Sequence, residues 1–154
     1  VHSLANFKGS WRRFEYKGET AMGAQVYDDY AHHPTAVQKT LDAAREKFAD
    51  SKLVVVFHPH LYSRTATFLE PFARVLAQAD EAIIAPIFAA REIDDGSVSS
   101  EMLAEKAREF GGTVHALGSF DAIRDALGGY GSDTVILMMG AGDIYKVAEE
   151  ITQE

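Results

Sequence analysis

Leu53-Val54-Val55-Val56-Phe57, running straight into His58-Pro59-His60-Leu61-Tyr62-Ser63-Arg64-Thr65, decides the architecture. An unbroken apolar, largely β-branched run suits a strand covered on both faces, as in a parallel sheet between helices. Working outward, such runs alternate with helical periods. Pro34 suits a first helical turn, and Val37, Leu41, Ala44 and Phe48 follow at spacings of four, three and four. Phe68, Leu69, Phe72, Val75 and Leu76 form the next stripe. A strand over 81–86, a helix over 99–110, a short strand over 113–116, a helix over 119–127, a buried strand over 134–139 and a closing helix over 144–151 continue the alternation. Upstream, Trp11–Glu19 and Ala21–Asp29 are aromatic and β-branched and divide at Gly18, which predicts an antiparallel hairpin. The expected fold is α/β: a three-layer, Rossmann-like, mostly parallel sheet with an antiparallel N-terminal hairpin.

The 154 residues, 47% hydrophobic and 25% charged, match one compact domain. A chain of this length buries roughly 68 to 70% of its unfolded surface and folds without disulfides or a structural metal. It has no Cys, which removes thiolate metal sites and cysteine nucleophiles. A net charge of −8 repels phosphate backbones, so no nucleic-acid partner is expected. Apolar runs such as Ala82–Ala90 fall far short of the roughly 20 residues of a membrane helix, and no secretory signal opens the chain. A cytoplasmic protein without a membrane partner is expected. The opening Val-His-Ser, without Met, suggests a piece of a longer protein.

Unusual polar residues gather after the strands: Asp28-Asp29-Tyr30-Ala31-His32-His33-Pro34, then His58 to Thr65, then Ala90-Arg91-Glu92, then Gly140-Ala141-Gly142-Asp143. In a parallel sheet the carboxyl ends of the strands share one rim, where ligands bind. The residue before proline is pushed out of the α region, which places His33 at a helix cap and one imidazole of the His32-His33 pair in the crevice. Near neutral pH a histidine can accept a proton, donate to a phosphate or bind a metal. Pro59 stiffens the His58–His60 turn. If the strand continues through it the two imidazoles share a side; a bend separates them. Arg64 and Arg91 are candidates for bidentate contact with a carboxylate or phosphate, at about 1.5 to 3 kcal/mol per charged hydrogen bond. The alternative for Arg91 is an ion pair with Glu92 or Asp94.

Gly140-Ala141-Gly142 opens a helix, but Tyr145 stands where a dinucleotide fingerprint has Gly. Asp143 is placed to cap its own helix, and the turn reads as one that lets another chain or ligand approach. Asp28 and Asp29 either solvate a strand end or accept from ribose hydroxyls. No Gly-x-x-x-x-Gly-Lys-Ser/Thr loop exists, so ATP phosphates and magnesium would be handled elsewhere. Phe7, Trp11, Phe14 and Tyr16 read as hairpin core or interdomain packing.

Asp29-Tyr30-Ala31-His32-His33-Pro34-Thr35, Phe57-His58-Pro59-His60-Leu61-Tyr62-Ser63-Arg64-Thr65, Ala85-Pro86-Ile87-Phe88-Ala89-Ala90-Arg91-Glu92 and Gly140-Ala141-Gly142-Asp143-Ile144, in this order and spacing, resemble the C-terminal domain of the Mur ligases, most closely the alanine-adding branch. Phe7-Lys8-Gly9 and Arg12-Arg13-Phe14-Glu15 look like the family's passage from its central domain, so residues 1–10 are expected to lead in from a missing domain and 11–154 to form the C-terminal one. The resemblance implies a peptidoglycan enzyme that uses ATP and Mg2+, held mainly by the missing central domain. It activates the carboxylate of UDP-N-acetylmuramate as an acyl phosphate, which L-alanine attacks. This chain alone should be inactive.

By the same resemblance Asp29 contacts the ribose, with His33 beside it on the nucleotide side. Tyr30 and His32 neighbour nucleotide and amino acid, His60 and Arg64 contact the alanine carboxylate and the transferred phosphate, and His32 and Arg64 are the catalytic candidates; no metal ligand is assigned. The family commonly has Arg where this chain has Leu61 and Gln where it has His58, leaving Arg91, His58 or another domain to supply the missing cation. Other readings are a sibling ligase that attaches a whole peptide, a metal-dependent hydrolase using His32, His58 and His60 with Asp29, and a receiver-like module built on Asp28-Asp29. The last lacks the expected Lys after the final strand.

Overall fold

The computed structural model describes residues 11–153, so the expected lead-in at 1–10 lies outside the described residues. Six strands form one mixed sheet in the order β1-β2-β6-β3-β4-β5. They are β1 (Glu15–Glu19), β2 (Gln25–Asp29), β3 (Lys52–Phe57), β4 (Glu81–Ile84), β5 (Val114–Ala116) and β6 (Thr134–Met139). The β1–β2 pair is antiparallel and the other pairings are parallel, as the alternating pattern predicts.

Strand parity sorts the core into two layers. Leu53, Val55 and Phe57 of β3 and Val135, Leu137 and Met139 of β6 pack with Val37 and Leu41 of α1 (Pro34–Lys47), Phe72 and Leu76 of α3 (Leu69–Leu76), and Leu103 of α4 (Ser100–Glu109). Val54 and Val56, with Ile136 and Met138, face Ile123 and Leu127 of α5 (Phe120–Leu127) and Ile144 and Val147 of α6 (Ile144–Ile151). Because every second residue goes to the opposite layer, the continuous apolar runs are required; each fully buried aliphatic side chain stabilises by about 1.5 to 3 kcal/mol.

One local expectation is corrected. Gly18 does not divide the hairpin: it lies inside β1 at an irregularity in the register, against Thr152. The reversal comes at Thr20–Ala24, where the Thr20 amide donates to the Ala24 carbonyl at 2.9 Å and the Ala24 amide to Thr20 Oγ1 at 3.1 Å. The segment after β3 contains a short helix, α2 (Tyr62–Thr67), which the apolar periodicity did not signal.

Candidate functional site

β2, β6 and β3 lie side by side, so Asp29, Met139 and Phe57 end at one height and deliver their following segments to a common rim. Backbone pairing continues past the strands. The Gly140 amide donates to the Asp29 carbonyl at 3.1 Å and the His58 amide to the Met139 carbonyl at 2.8 Å. His60 and Phe88 form a further parallel bridge, with the Phe88 amide on the Pro59 carbonyl and the Leu61 amide on the Phe88 carbonyl, each at 2.8 Å. The four segments singled out from sequence therefore meet.

Along the rim Tyr30, His32, His60 and Arg64 form a chain of contacts. The Tyr30 and His32 rings are 5.2 Å apart, those of His32 and His60 are 6.0 Å apart, and Arg64 Nη1 lies 3.2 Å from His60 Nδ1. The hydrogen bonds fix which nitrogens carry protons. A carbonyl only accepts, so His32 Nδ1 donates to the Tyr30 carbonyl at 2.8 Å, and neutral His32 keeps its lone pair on Nε2. A guanidinium only donates, so His60 Nδ1 accepts from Arg64 and neutral His60 carries its proton on Nε2. Desolvation by burial and the Arg64 charge hold the His60 pKa below its ordinary value. The pair offers one acceptor and one donor beside a guanidinium.

Asp29 supports this rim. Its Oδ2 accepts the Phe14 amide and its Oδ1 the Ala31 amide, each at 2.8 Å. His33 is exposed and caps α1: Nδ1 accepts the Thr35 amide at 3.3 Å, and the ring packs edge-on to Phe68 at 4.7 Å. Arg91 is exposed, and among the described residues neither Glu92 nor Asp94 pairs with it. Glu92 instead accepts from the Ser63 amide at 3.0 Å and from the Ser63 hydroxyl, which fastens the loop after β4 to α2. Leu61 takes φ 71°, a strained position for a non-glycine residue, at the junction between the β3 extension and α2.

His58 and His60, on either side of Pro59, both meet Phe88 but differ in their surroundings. His58 is buried with 3% exposure, its ring edge-on to Phe88 at 5.8 Å and to Phe120 at 5.2 Å. His60 stacks on Phe88 at 5.4 Å. Burial pushes His58 from its ordinary 6.5 to about 4, opposed by nearby Asp143 and reinforced by His60 and Arg12. Among the described residues its Nδ1 has no hydrogen-bond partner. Among the described residues no three His, Asp or Glu side chains form a metal-holding group, and the set His32, His58, His60 and Asp29 does not converge into one.

The glycine turn after β6 does permit a close approach, and the neighbour is His58 of the same chain. A Cβ on Gly140, which has φ +149°, would stand 2.6 Å from the His58 carbonyl oxygen; one on Gly142 would stand 2.6 Å from imidazole Cε1 and 2.7 Å from Nδ1. Asp143 makes no capping bond and pairs with Lys146 at 3.0 Å, which corrects its expected capping role.

Arg12, not chosen as a site residue from sequence, organises this turn. It is 2% exposed; its Nε donates to Asp28 Oδ2 at 2.7 Å, Nη2 to the Gly140 carbonyl at 2.6 Å and Nη1 to the Gly142 carbonyl at 3.0 Å. The rings of Trp11, Tyr30 and Tyr145 lie 5.7, 5.2 and 4.9 Å from its guanidinium carbon. Asp28 is fully buried, and desolvation raises its carboxyl while Arg12 pulls it down. Parity was the available signal: Asp28 shares the inward face of Val26, and a buried carboxylate requires a cation.

A groove of about 400 Å³ opens beyond the rim, lined by Tyr62, Ile87, Asp94, Val98, Glu101 and Leu117 among others. Its charged lining is acidic and does not suit an anion. No helix of the described residues is long and apolar enough to cross a membrane.

Residues 12–142 match the family model described as Mur ligase, glutamate ligase domain. The UDP-N-acetylmuramate–L-alanine ligase of Clostridium botulinum (strain Langeland) is 47% identical over 150 residues, covering 97% of this chain and 32% of that protein. Its counterpart from Saccharopolyspora erythraea is 45% identical over 155 residues, covering 100% of this chain and 31% of that protein. The crystal structure of the UDP-N-acetylmuramate-alanine ligase of Thermotoga maritima superposes with a TM-score of 0.77 at 27% identity, over 97% of this chain and 31% of that one. The chain thus spans about a third of the length of the curated relatives it matches.

Proposed function

Since the chain belongs to the Mur ligase family and corresponds to its C-terminal domain, we propose that it is the amino-acid-side domain of an ATP-dependent ligase joining L-alanine to UDP-N-acetylmuramate in the cytoplasm. The observation that carries this is the His32–His60–Arg64 arrangement at the rim, together with relatives of that activity at 45 to 47% identity over the whole chain. A peptide-adding sibling is the second reading.

The described residues of this chain build no dedicated site for the ATP phosphate chain and Mg2+. The sequence has no phosphate-binding loop, and among the described residues no carboxylate or imidazole cluster suits a cation. The phosphates and Mg2+ are assigned to the parts of the enzyme beyond this third. With its residues 11–154, this domain supplies the other wall of the cleft.

The reaction needs an amine that has lost a proton, an amino-acid carboxylate held in place, and donors toward the charge that builds at the acyl phosphate. Arg64 supplies the fixed cation for the carboxylate or the transferred phosphate, and the Nε2 proton of His60 a neighbouring donor. His32 offers the Nε2 lone pair, oriented by its bond to Tyr30, as the acceptor nearest that pair. Tyr30 and Asp29 lie on the nucleotide side with His33, whose Nδ1 bond to Thr35 leaves a donor on Nε2 when neutral. Asp29 retains one lone pair on each oxygen for ribose hydroxyls beyond the amides it accepts.

In the full-length enzyme, Arg64→Ala should reduce kcat/KM for L-alanine by about a hundredfold, the loss of roughly 2 to 3 kcal/mol of charged hydrogen bonding, with the domain still folded. An unchanged rate refutes the assignment. His32→Ala should lower turnover with little change in melting temperature; a collapse in melting instead identifies a packing role.

A further inference from the structure

We propose that His58, outside the His32–His60–Arg64 group, is a positioning residue: it sets the spacing between the Gly140–Asp143 turn and the His60–Arg64 pair, acting through the Phe88 ring. Its imidazole stands between the two. On one side Gly142 presses on Cε1 and Nδ1, and Gly140 on the His58 backbone, with no room for a methyl group at either glycine. On the other, Phe88 meets His58 edge-on and carries the stacked His60 ring, which accepts the Arg64 hydrogen bond. Phe120 closes the remaining side.

A buried polar atom without a partner is costly and uncommon, so His58 Nδ1 calls for an explanation. An aliphatic side chain of similar size would fill the same space without leaving an orphan. The imidazole instead reaches with a neutral polar end from the two glycines to the Phe88 and Phe120 rings, and that reach is what sets the spacing. The ring works as a neutral spacer. The charged and titratable groups facing it are Asp143 from the start of α6, His60 from the β3 extension and Arg12 from the segment before β1; Asp143 favours a cation and the other two oppose it. Burial outweighs Asp143, and the spacer stays neutral in the neutral pH range.

The inference rests on the ligase reading for its effect on alanine, and the test separates the two. In the full-length enzyme, His58→Ala should raise KM for L-alanine about tenfold with a smaller change in kcat, because the carboxylate contact is displaced rather than removed. His58→Gln, neutral and of similar reach, should restore most of the affinity. Independently of any substrate, the 15N resonance of His60 Nδ1 reports the Arg64 hydrogen bond. It should shift toward that of a free imidazole in His58→Ala and stay near wild type in His58→Gln. Phe88→Leu, at a residue 37% exposed, should reproduce the shift if His58→Ala does not fold. Unchanged His60 resonances and an unchanged KM in the folded variants overturn the proposal. If the His58 variants show these resonance changes but the wild-type full-length enzyme makes no amide with L-alanine, the ligase reading alone is overturned.

Discussion

Removing the Arg12 guanidinium would leave the fully buried Asp28 carboxyl without its ion-pair partner. Breaking a buried pair on one side costs about 3 to 5 kcal/mol, whereas replacing both partners with apolar residues costs much less. Arg12→Ala should therefore lower the unfolding free energy by about that amount in urea titrations, and Arg12→Met with Asp28→Leu should recover a large part of it. The portion not recovered measures the two carbonyl contacts to Gly140 and Gly142. His58 yields a pH prediction of definite sign. The unfolded imidazole takes a proton near 6.5 and the folded one only near 4, so within that window the unfolded chain binds more protons and acid favours unfolding. Its contribution is fully present above pH 6.5. It falls by about 3 kcal/mol as the pH drops to 4. The difference between wild type and His58→Gln across this range isolates it from the carboxylates; parallel curves would show that His58 does not titrate this way.

Helices α4 and α5 each begin behind a serine whose hydroxyl accepts an amide of the first turn: Ser99 from Met102 and Ser119 from Ala122, both at 3.1 Å. Ser99→Ala and Ser119→Ala should each cost about 1 kcal/mol, and the double variant about their sum, since the caps share no partner. Thermal or urea melts of the three variants check both points. The long elements were legible because their apolar spacing is enforced by a two-layer core: α1 repeats from Val37 to Ala44, β3 is buried from Leu53 to Phe57 and β6 throughout. α2 was not, because a six-residue helix of Tyr62-Ser63-Arg64-Thr65-Ala66-Thr67 has no stripe to read. It is held by the Leu61 carbonyl, which accepts the Thr65 amide and hydroxyl, and by Glu92 across the rim, contacts that no local pattern encodes. The rim histidines and Arg64 could be gathered from sequence because each follows a strand. The role of the glycine turn could not, since its neighbour His58 lies about eighty residues earlier in the chain.

On the scale of the whole molecule, a sheet covered on both faces gives this chain its own core, so it should fold in isolation with a single cooperative transition. Catalysis is another matter. Under the proposed ligase reading, the rim supplies an acceptor, a donor and a fixed cation, and the phosphate and metal site belongs to the rest of the enzyme. The isolated chain should neither hydrolyse ATP nor form an amide, and activity should appear only in the full-length enzyme. Coupled assays of ADP release on both proteins decide it, and turnover by the isolated chain would count against the division of labour.

The stretch from Trp11 to Glu15 is anchored at several points. The Arg12 carbonyl accepts the Tyr30 amide, the Phe14 amide donates to Asp29, and the Arg12 side chain grips the Gly140 and Gly142 carbonyls, while Arg12 and Phe14 both sit at positive φ. Inserting one amino acid there would put all of these attachments out of step at once, whereas the exposed Gly129, with open space around it, could be lengthened without disturbing any of them. A one-residue insertion between Trp11 and Glu15 should thus unsettle the whole rim, while the same insertion at Gly129 leaves it in place.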